Sequence, residues 1–265
     1  MSKKTPINAS EMMQAHTMFL NTTHLVLQGK GGVGKSLKAG ALGQYFNHHG
    51  YDTLCRDTDP VNSTFYRMTG LNVELVPIAE GGSVVQRLFD PLFEDILETD
   101  RVSVVDNGAS TFLPMLKFIT SNYILQTMQD AGKQPYIHTV VTGGQAKDDT
   151  VTGLLSLIDM LRQTGSNTKI VVWQNEFWGI PEFNGKPLDQ MPWFSDNGDL
   201  IQGLVSIKDR NSDAYATDMR LVTEKHMTWM EVKASSEFGT LAKSRIGRVY
   251  SDIFSELDNV FAVMN

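Results

Sequence analysis

Four glycines, two lysines and a serine crowd into eight consecutive positions, Gly29-Lys30-Gly31-Gly32-Val33-Gly34-Lys35-Ser36. Gly29, Gly34, Lys35 and Ser36 fall at the spacing G-x-x-x-x-G-K-[ST], with the β-formers Leu25, Val26 and Leu27 before them and a helical pattern after. That chemistry is anion binding. Gly29, Gly31, Gly32, Val33 and Gly34 can turn backbone N–H groups inward around phosphate oxygens, and the helix opening at Lys35, Ser36 and Leu37 adds its positive end. Lys35 is a point charge for β- and γ-phosphates, and the Ser36 hydroxyl is a magnesium ligand. Hydrolysis would further need a held magnesium ion and a positioned water. Two more strand-like runs end in acids. "LCRDTDPVNST" carries Asp57 and Asp59 two residues apart, hence on one face. "VSVVDNGAS" ends in Asp106, where a carboxylate can hold magnesium through water.

The elements that must position these groups are legible as alternating patterns. The β-type runs "HLVLQ", "DTLCR", "VELVP", "VSVVD", "YIHTVVT", "KIVVWQN" and "LVSI" are separated by helical stretches. Such alternation predicts an α/β fold, a mainly parallel sheet with helices on both faces, in a single domain at residues 23–265. Residues 1–22 are polar with scattered methionines and read as an N-terminal appendage, with one short helix expected through Met12, Met13, Ala15, His16 and Phe19. The 265 residues are 41% hydrophobic, enough for one large domain. The net charge of −7 and pI of 5.3 supply no broad positive field for nucleic acid or an anionic membrane. Cys55 is the only cysteine, which excludes an internal disulfide and a cysteine-built metal site within one chain. Without a signal-peptide pattern or a bilayer-length apolar run, a soluble cytoplasmic protein is expected. One long segment, residues 175–199, has no pattern of its own and reads as a functional loop or contact surface.

Lys30, directly after the first glycine, is not required by an ordinary phosphate loop, where any residue can fill that position. K-G-G-x-G-K-[ST] resembles the deviant Walker motif of the ParA/MinD-type ATPases. The resemblance implies that Lys30 crosses a dimer interface to phosphates bound by a second subunit. It also implies that Asp57-Thr58-Asp59-Pro60 is the switch segment and "VSVVD" the Walker B strand. Carried over by residue, Asp59 orients or activates the attacking water, Asp57 supports the magnesium shell, and Asp106 is the Walker B acid. Two departures stand out: Val61-Asn62 follows Asp59-Pro60 where the family often has Gln-Gly-Asn, and Asn107-Gly108-Ala109-Ser110 replaces a proline pair. Slow hydrolysis is expected from the altered switch. No N-K-x-D element is present, so a Ras-type GTPase is disfavoured. Asn175, ending a late strand, resembles the family's adenine-reading asparagine. The cofactors implied are ATP and magnesium.

A narrower resemblance, from residue 24 onward, is to the TraL-type conjugal-transfer ATPases of broad-host-range plasmids, carried by "DTDPVNSTF", "VVDNGASTFLP", "IHTVVTGGQAKDDTVTG" and "VVWQNEFWG". It implies an ATP-dependent homodimer that engages components of a conjugative transfer apparatus, in the cytoplasm or recruited by partners to the inner membrane. Gly143, Gly144 and Gln145 are assigned to contacts with nucleotide, dimer partner or client. Trp173, Phe177 and Trp178 read as core, as adenine-pocket wall or, with residues 176–199, as a partner surface. The tail with Leu241, Ile246, Val249, Ile253, Leu257 and Val260 at helical spacing fits a helix packed on the sheet or an amphipathic membrane contact. Two alternatives remain at this level. One is a partition ATPase binding DNA through Arg210, Arg220, Arg245 and Arg248, and the other a nucleotide-binding interaction protein with little hydrolysis.

Overall fold

The computed structural model describes residues 18–262. The seven β-type runs become β1 (Thr22–Val26), β2 (Thr53–Asp57), β3 (Glu74–Leu75), β6 (Val102–Asp106), β7 (Gln134–Thr142), β8 (Lys169–Asn175) and β11 (Ile201–Ile207). Two small hairpins, β4 (Ala79–Glu80) with β5 (Ser83–Val84) and β9 (Glu182–Phe183) with β10 (Lys186–Pro187), complete the strands. The seven form one sheet in the order β11-β8-β7-β1-β6-β2-β3 with every pairing parallel. All five residues of β1 and of β6 are buried, as in a strand covered by helices on both faces.

Helices cover both faces. On one lie α1 (Lys35–His48) and the C-terminal helix, and on the other α2 (Asp90–Glu98), α3 (Phe112–Ser121), α4 (Ile124–Asp130) and α5 (Lys147–Thr164). Successive strand residues serve opposite layers: Leu25, Val105, Ile137 and Val172 face α2–α5, and Val26, Val104, Val140 and Val171 face α1. The remaining helices are α6 (Pro192–Ser195), α7 (Asp213–Glu224), α8 (Trp229–Ala234) and α9 (Thr240–Ala262). Val222, Val232, Phe238, Ile246 and Tyr250 make a separate small core among α7, α8 and α9.

The chain leaves β1 in one direction, to β2 and then back to β6, and later fills the other side of β1 with β7 and β8. Strand order therefore reverses at β1, and the crevice at its carboxyl end is where ligands of such sheets bind. Register sets Val26, Asp106 and Asp57 side by side in one row at that edge.

Three expectations are refined here. Most of the helix expected before β1 lies outside the described residues, but Phe19 is buried, edge-on to Phe46 and Phe261 at 5.1 and 5.0 Å between ring centroids. The packed domain thus begins ahead of residue 23, and Thr22 already belongs to β1. Residues 175–199 are not structureless, since β9, β10 and α6 form there, with Leu188 buried and Phe183, Trp193 and Phe194 packed on the core. Of the apolar stripe of α9, Ile246, Ile253, Leu257 and Val260 are buried together with Tyr250 and Phe261, Val249 is partly buried, and Leu241 is exposed. Among the described residues no helix is long and apolar enough to cross a membrane.

Candidate functional site

The loop between β1 and α1 closes tightly because two glycines take the left-handed region, Gly32 at φ 75° and Gly34 at φ 92°. Gly34 is also constrained from below. A Cβ there would lie 2.9 Å from the Lys38 Nζ, and that ammonium is buried without a hydrogen-bond partner, its pKa pulled to about 7 by burial. The first turn of α1 contains no acid, and no side chain caps it. Its free N–H groups and positive dipole end therefore face the loop. Lys35 is buried inside, its Nζ donating to the Lys30 carbonyl at 3.1 Å. Burial lowers the Lys35 pKa, and the charges of Asp106 and Asp59 oppose that shift.

The three acids meet this loop. Asp106 is buried at the end of β6, where the Ser36 hydroxyl favours its charged form, and its Oδ1 is buried with no hydrogen-bond partner. Burial, reinforced by the Asp57 charge, pushes its pKa up to about 8. An orphaned carboxylate oxygen beside a serine hydroxyl fits a divalent cation, the group that would repay the desolvation. Among the described residues no three His, Cys, Asp or Glu side chains are grouped to hold a metal by themselves. Ser36 and Asp106 would consequently hold such an ion only together with ligand oxygens.

Asp57, expected to support a magnesium shell, accepts two backbone N–H groups. Its Oδ1 accepts the Asp59 N–H and its Oδ2 the Tyr66 N–H, both at 2.9 Å, so it organises the loop that follows β2. Asp59 accepts the N–H groups of Val61 and Asn62 at 2.9 and 3.0 Å through Oδ1. Its carboxylate rests on Gly108, where a Cβ would lie 2.7 Å from its Cγ. The two acid-bearing turns are therefore in direct contact.

Lys30 points away from its own loop, with its Nζ 2.7 Å from Asp149 Oδ2 in the first turn of α5. Asn175 is buried and ties β8 to the loop, its Nδ2 donating to the Val33 carbonyl at 3.1 Å and its Oδ1 accepting from Phe177 N–H at 3.4 Å. Gly143 N–H donates to the Gly179 carbonyl at 3.1 Å, and Gly144 packs on Trp178, so the T-G-G-Q turn supports the neighbouring loop while Gln145 is exposed. Trp173 is fully buried with its Nε1 donating to His138 Nδ1 at 2.9 Å, which makes it core and not pocket wall. Phe177, Trp178 and Ile180 are 62, 54 and 52% exposed.

Two contributors escaped the sequence reading. Asp149 pairs with Lys30 across 119 positions of chain, and its only sequence signal is an acid in the first turn after a strand of the same sheet edge. Gln28 is fully buried beneath the loop, its Nε2 donating to the carbonyls of Val140 and Thr150 at 2.8 and 3.0 Å while its Oε1 accepts the Lys30 N–H at 3.3 Å. An amide just past the end of β1, directly before Gly29, is its sequence signal.

Among proteins of known kind, two TraL proteins from Escherichia coli are each 37% identical to this chain. They align over 236 and 235 residues, which is 89% of this chain in both cases and 97% and 96% of theirs. A plasmid partition protein from Borrelia burgdorferi B31 bound to AMPPNP is 14% identical, with a TM-score of 0.49 over 89% of this chain and 98% of that one. Residues 25–259 match the CobQ/CobB/MinD/ParA nucleotide binding domain, and with that match the chain belongs to the CobQ/CobB/MinD/ParA family.

Proposed function

We propose that this protein is a magnesium-dependent ATPase that dimerises around ATP and serves as a nucleotide-controlled switch in plasmid conjugal transfer. The observation that carries the reading is the meeting, at one sheet edge, of the Lys35–Ser36 loop, the unpartnered Asp106 oxygen and Asp59. Bound nucleotide would supply the γ-phosphate, and magnesium would neutralise its charge. Lys35 and the loop N–H groups hold the phosphates, Ser36 and Asp106 hold the cation side, and Asp59 orients water. Lys30 faces outward on a 2.7 Å ion pair with Asp149 and is available to a second subunit once that pair opens. Exposed Val61 and Leu113 lie on the two acid-bearing segments, and Phe177, Trp178 and Ile180 lie on the loop after β8. These support apolar contacts at the same edge, with a second copy and with transfer components. Similarity to TraL proteins supports the conjugation context.

The test is ATP turnover with oligomeric mass in the same samples. Lys35→Ala is expected to lose binding, and Lys30→Ala to bind yet lose dimer and turnover. Native-like behaviour of Lys30→Ala would overturn the dimer reading. A second reading, nucleotide as a binding signal with little hydrolysis, is favoured by one feature: the Asp59 Oδ1 already accepts two backbone N–H groups of its own turn. The DNA-binding alternative finds less support. Arg210 pairs with Asp252, Arg220 with Glu224 and Arg245 with Asp218, so three of the four arginines are matched by carboxylates.

A further inference from the structure

The Asn-Gly-Ala-Ser turn after Asp106 is tied to its neighbours by buried side chains. Asn107 is fully buried. Its Oδ1 accepts the Thr111 hydroxyl at 2.7 Å and the Thr58 hydroxyl at 3.2 Å. Its Nδ2 donates to the Gly108 carbonyl at 3.2 Å and its backbone N–H to the Val26 carbonyl at 3.3 Å. Thr58, also fully buried, is the residue between Asp57 and Asp59, and its N–H donates to the Asp106 carbonyl at 2.9 Å. Thr111 is fully buried too and reaches the Gly108 carbonyl at 2.9 Å. The side-chain amide thus joins the segment carrying Asp59 to the start of α3, while the backbone N–H of the same residue ties the turn to the end of β1. The amide also holds Gly108, the glycine on which the Asp59 carboxylate rests.

We propose that Asn107, with Thr58 and Thr111, is a positioning clamp that sets Asp59 relative to Asp106. The clamp couples the two acid-bearing turns through side-chain hydrogen bonds. A fully buried amide that accepts from one turn and the start of a helix at once is costly to misplace, so the two turns are expected to move together. The inference rests on the hydrolytic reading for its effect on rate, but not for its effect on the loop.

The experiment therefore has two arms on the full chain. In the first, kcat and KM for magnesium-ATP are measured for Asn107→Ala, Thr58→Val and Thr58→Ser. Asn107→Ala and Thr58→Val are expected to lower kcat about tenfold or more, with KM changed less than about threefold, and Thr58→Ser to restore most of kcat because the hydroxyl remains. In the second, amide hydrogen exchange is followed without nucleotide. The Val61 and Asn62 N–H groups, held by Asp59, are expected to exchange about tenfold faster in Asn107→Ala, with the Gly31–Ser36 amides unchanged. Unchanged exchange at Val61 and Asn62 would overturn the clamp. An equal rise at every amide would also overturn it, because a general loss of stability would then suffice. If the native chain hydrolyses nothing, the catalytic reading falls and the exchange arm still decides the clamp.

Discussion

Asp106 concentrates the chemistry of this molecule in one atom, a buried carboxylate oxygen without a partner beside Ser36. Desolvating an unpaired charge costs several kcal/mol, about 1–3 for an unsatisfied polar atom in mutational series, and proteins keep such groups where a ligand will meet them. Asp106→Asn is expected to lower turnover about a hundredfold or more and to abolish its magnesium dependence, while the nucleotide-free melting temperature at pH 8 does not fall. A large drop in that melting temperature would mean that Asp106 is structural. Lys30 poses the opposite case. Its ion pair with Asp149 joins two well-exposed side chains, and such pairs contribute about 0–1 kcal/mol. Asp149→Ala should therefore leave urea stability within about 0.5 kcal/mol of native. It is expected to lower the ATP concentration at which the dimer forms, read by light scattering.

Gln28 works at the level of elements. It joins the phosphate loop to β7 and to the first turn of α5, the helix that carries Asp149. Its amide packs so closely on Gly153 of α5 that any side chain there would collide with it. Gly153→Ala is expected to destabilise by about 1–3 kcal/mol in urea unfolding. Gln28→Ala should cost about 2–3 kcal/mol through the carbonyls and N–H left unsatisfied. In the double variant the costs should be less than additive, because the new methyl enters the space that the amide vacated. Strict additivity would mean that the two positions do not touch. The glycine in α5 carries no meaning in the sequence, since a helical glycine reads as a weak spot until the opposing strand end is known.

Across the whole sheet, a chain of hydrogen bonds links β8, β7 and β1. Trp173 Nε1 donates to His138 Nδ1, so His138 carries its proton on Nε2 and gives it to His24 Nδ1 at 2.9 Å. His24 in turn faces the Thr22 hydroxyl through Nε2 at 3.1 Å, and Thr22 donates to the Phe19 carbonyl at 2.7 Å. Burial holds His138 down to about 3 and His24 well below its ordinary value, with His138 adding to the latter shift. Both rings are therefore neutral in the fold, whereas in the unfolded chain each takes up a proton below about pH 6.5. Depressed histidine pKa values in the fold mean stability that is complete above pH 6.5 and lost as pH falls toward 3. Both rings therefore add to the acid slope of stability as pH falls below 6.5. Urea titrations at stepped pH should find that slope reduced in His138→Gln. An unchanged slope would assign the acid lability to carboxylates alone.

The phosphate-loop spacing, the acids Asp57 and Asp106 at strand ends with Asp59 just beyond, and the seven parallel strands were all readable from the chain. Each is a local pattern: a backbone that needs glycine, an apolar run, a charge where the run stops. Lys30 was legible as an anomaly for the same reason. What faces each of these groups was decided only by the tertiary structure. Asp57 and Asp106 stand in one row because β2 and β6 pair in register, and Asn107 meets Thr58 for the same reason. Asp149 reaches Lys30 because β7 lies beside β1 and α5 follows β7. Trp173 left the pocket for the core because its indole N–H found a histidine on the next strand, a partner 35 positions away. Composition and periodicity act through neighbours in the chain, whereas burial and hydrogen-bond satisfaction act through neighbours in space, and a parallel sheet makes the two sets almost disjoint.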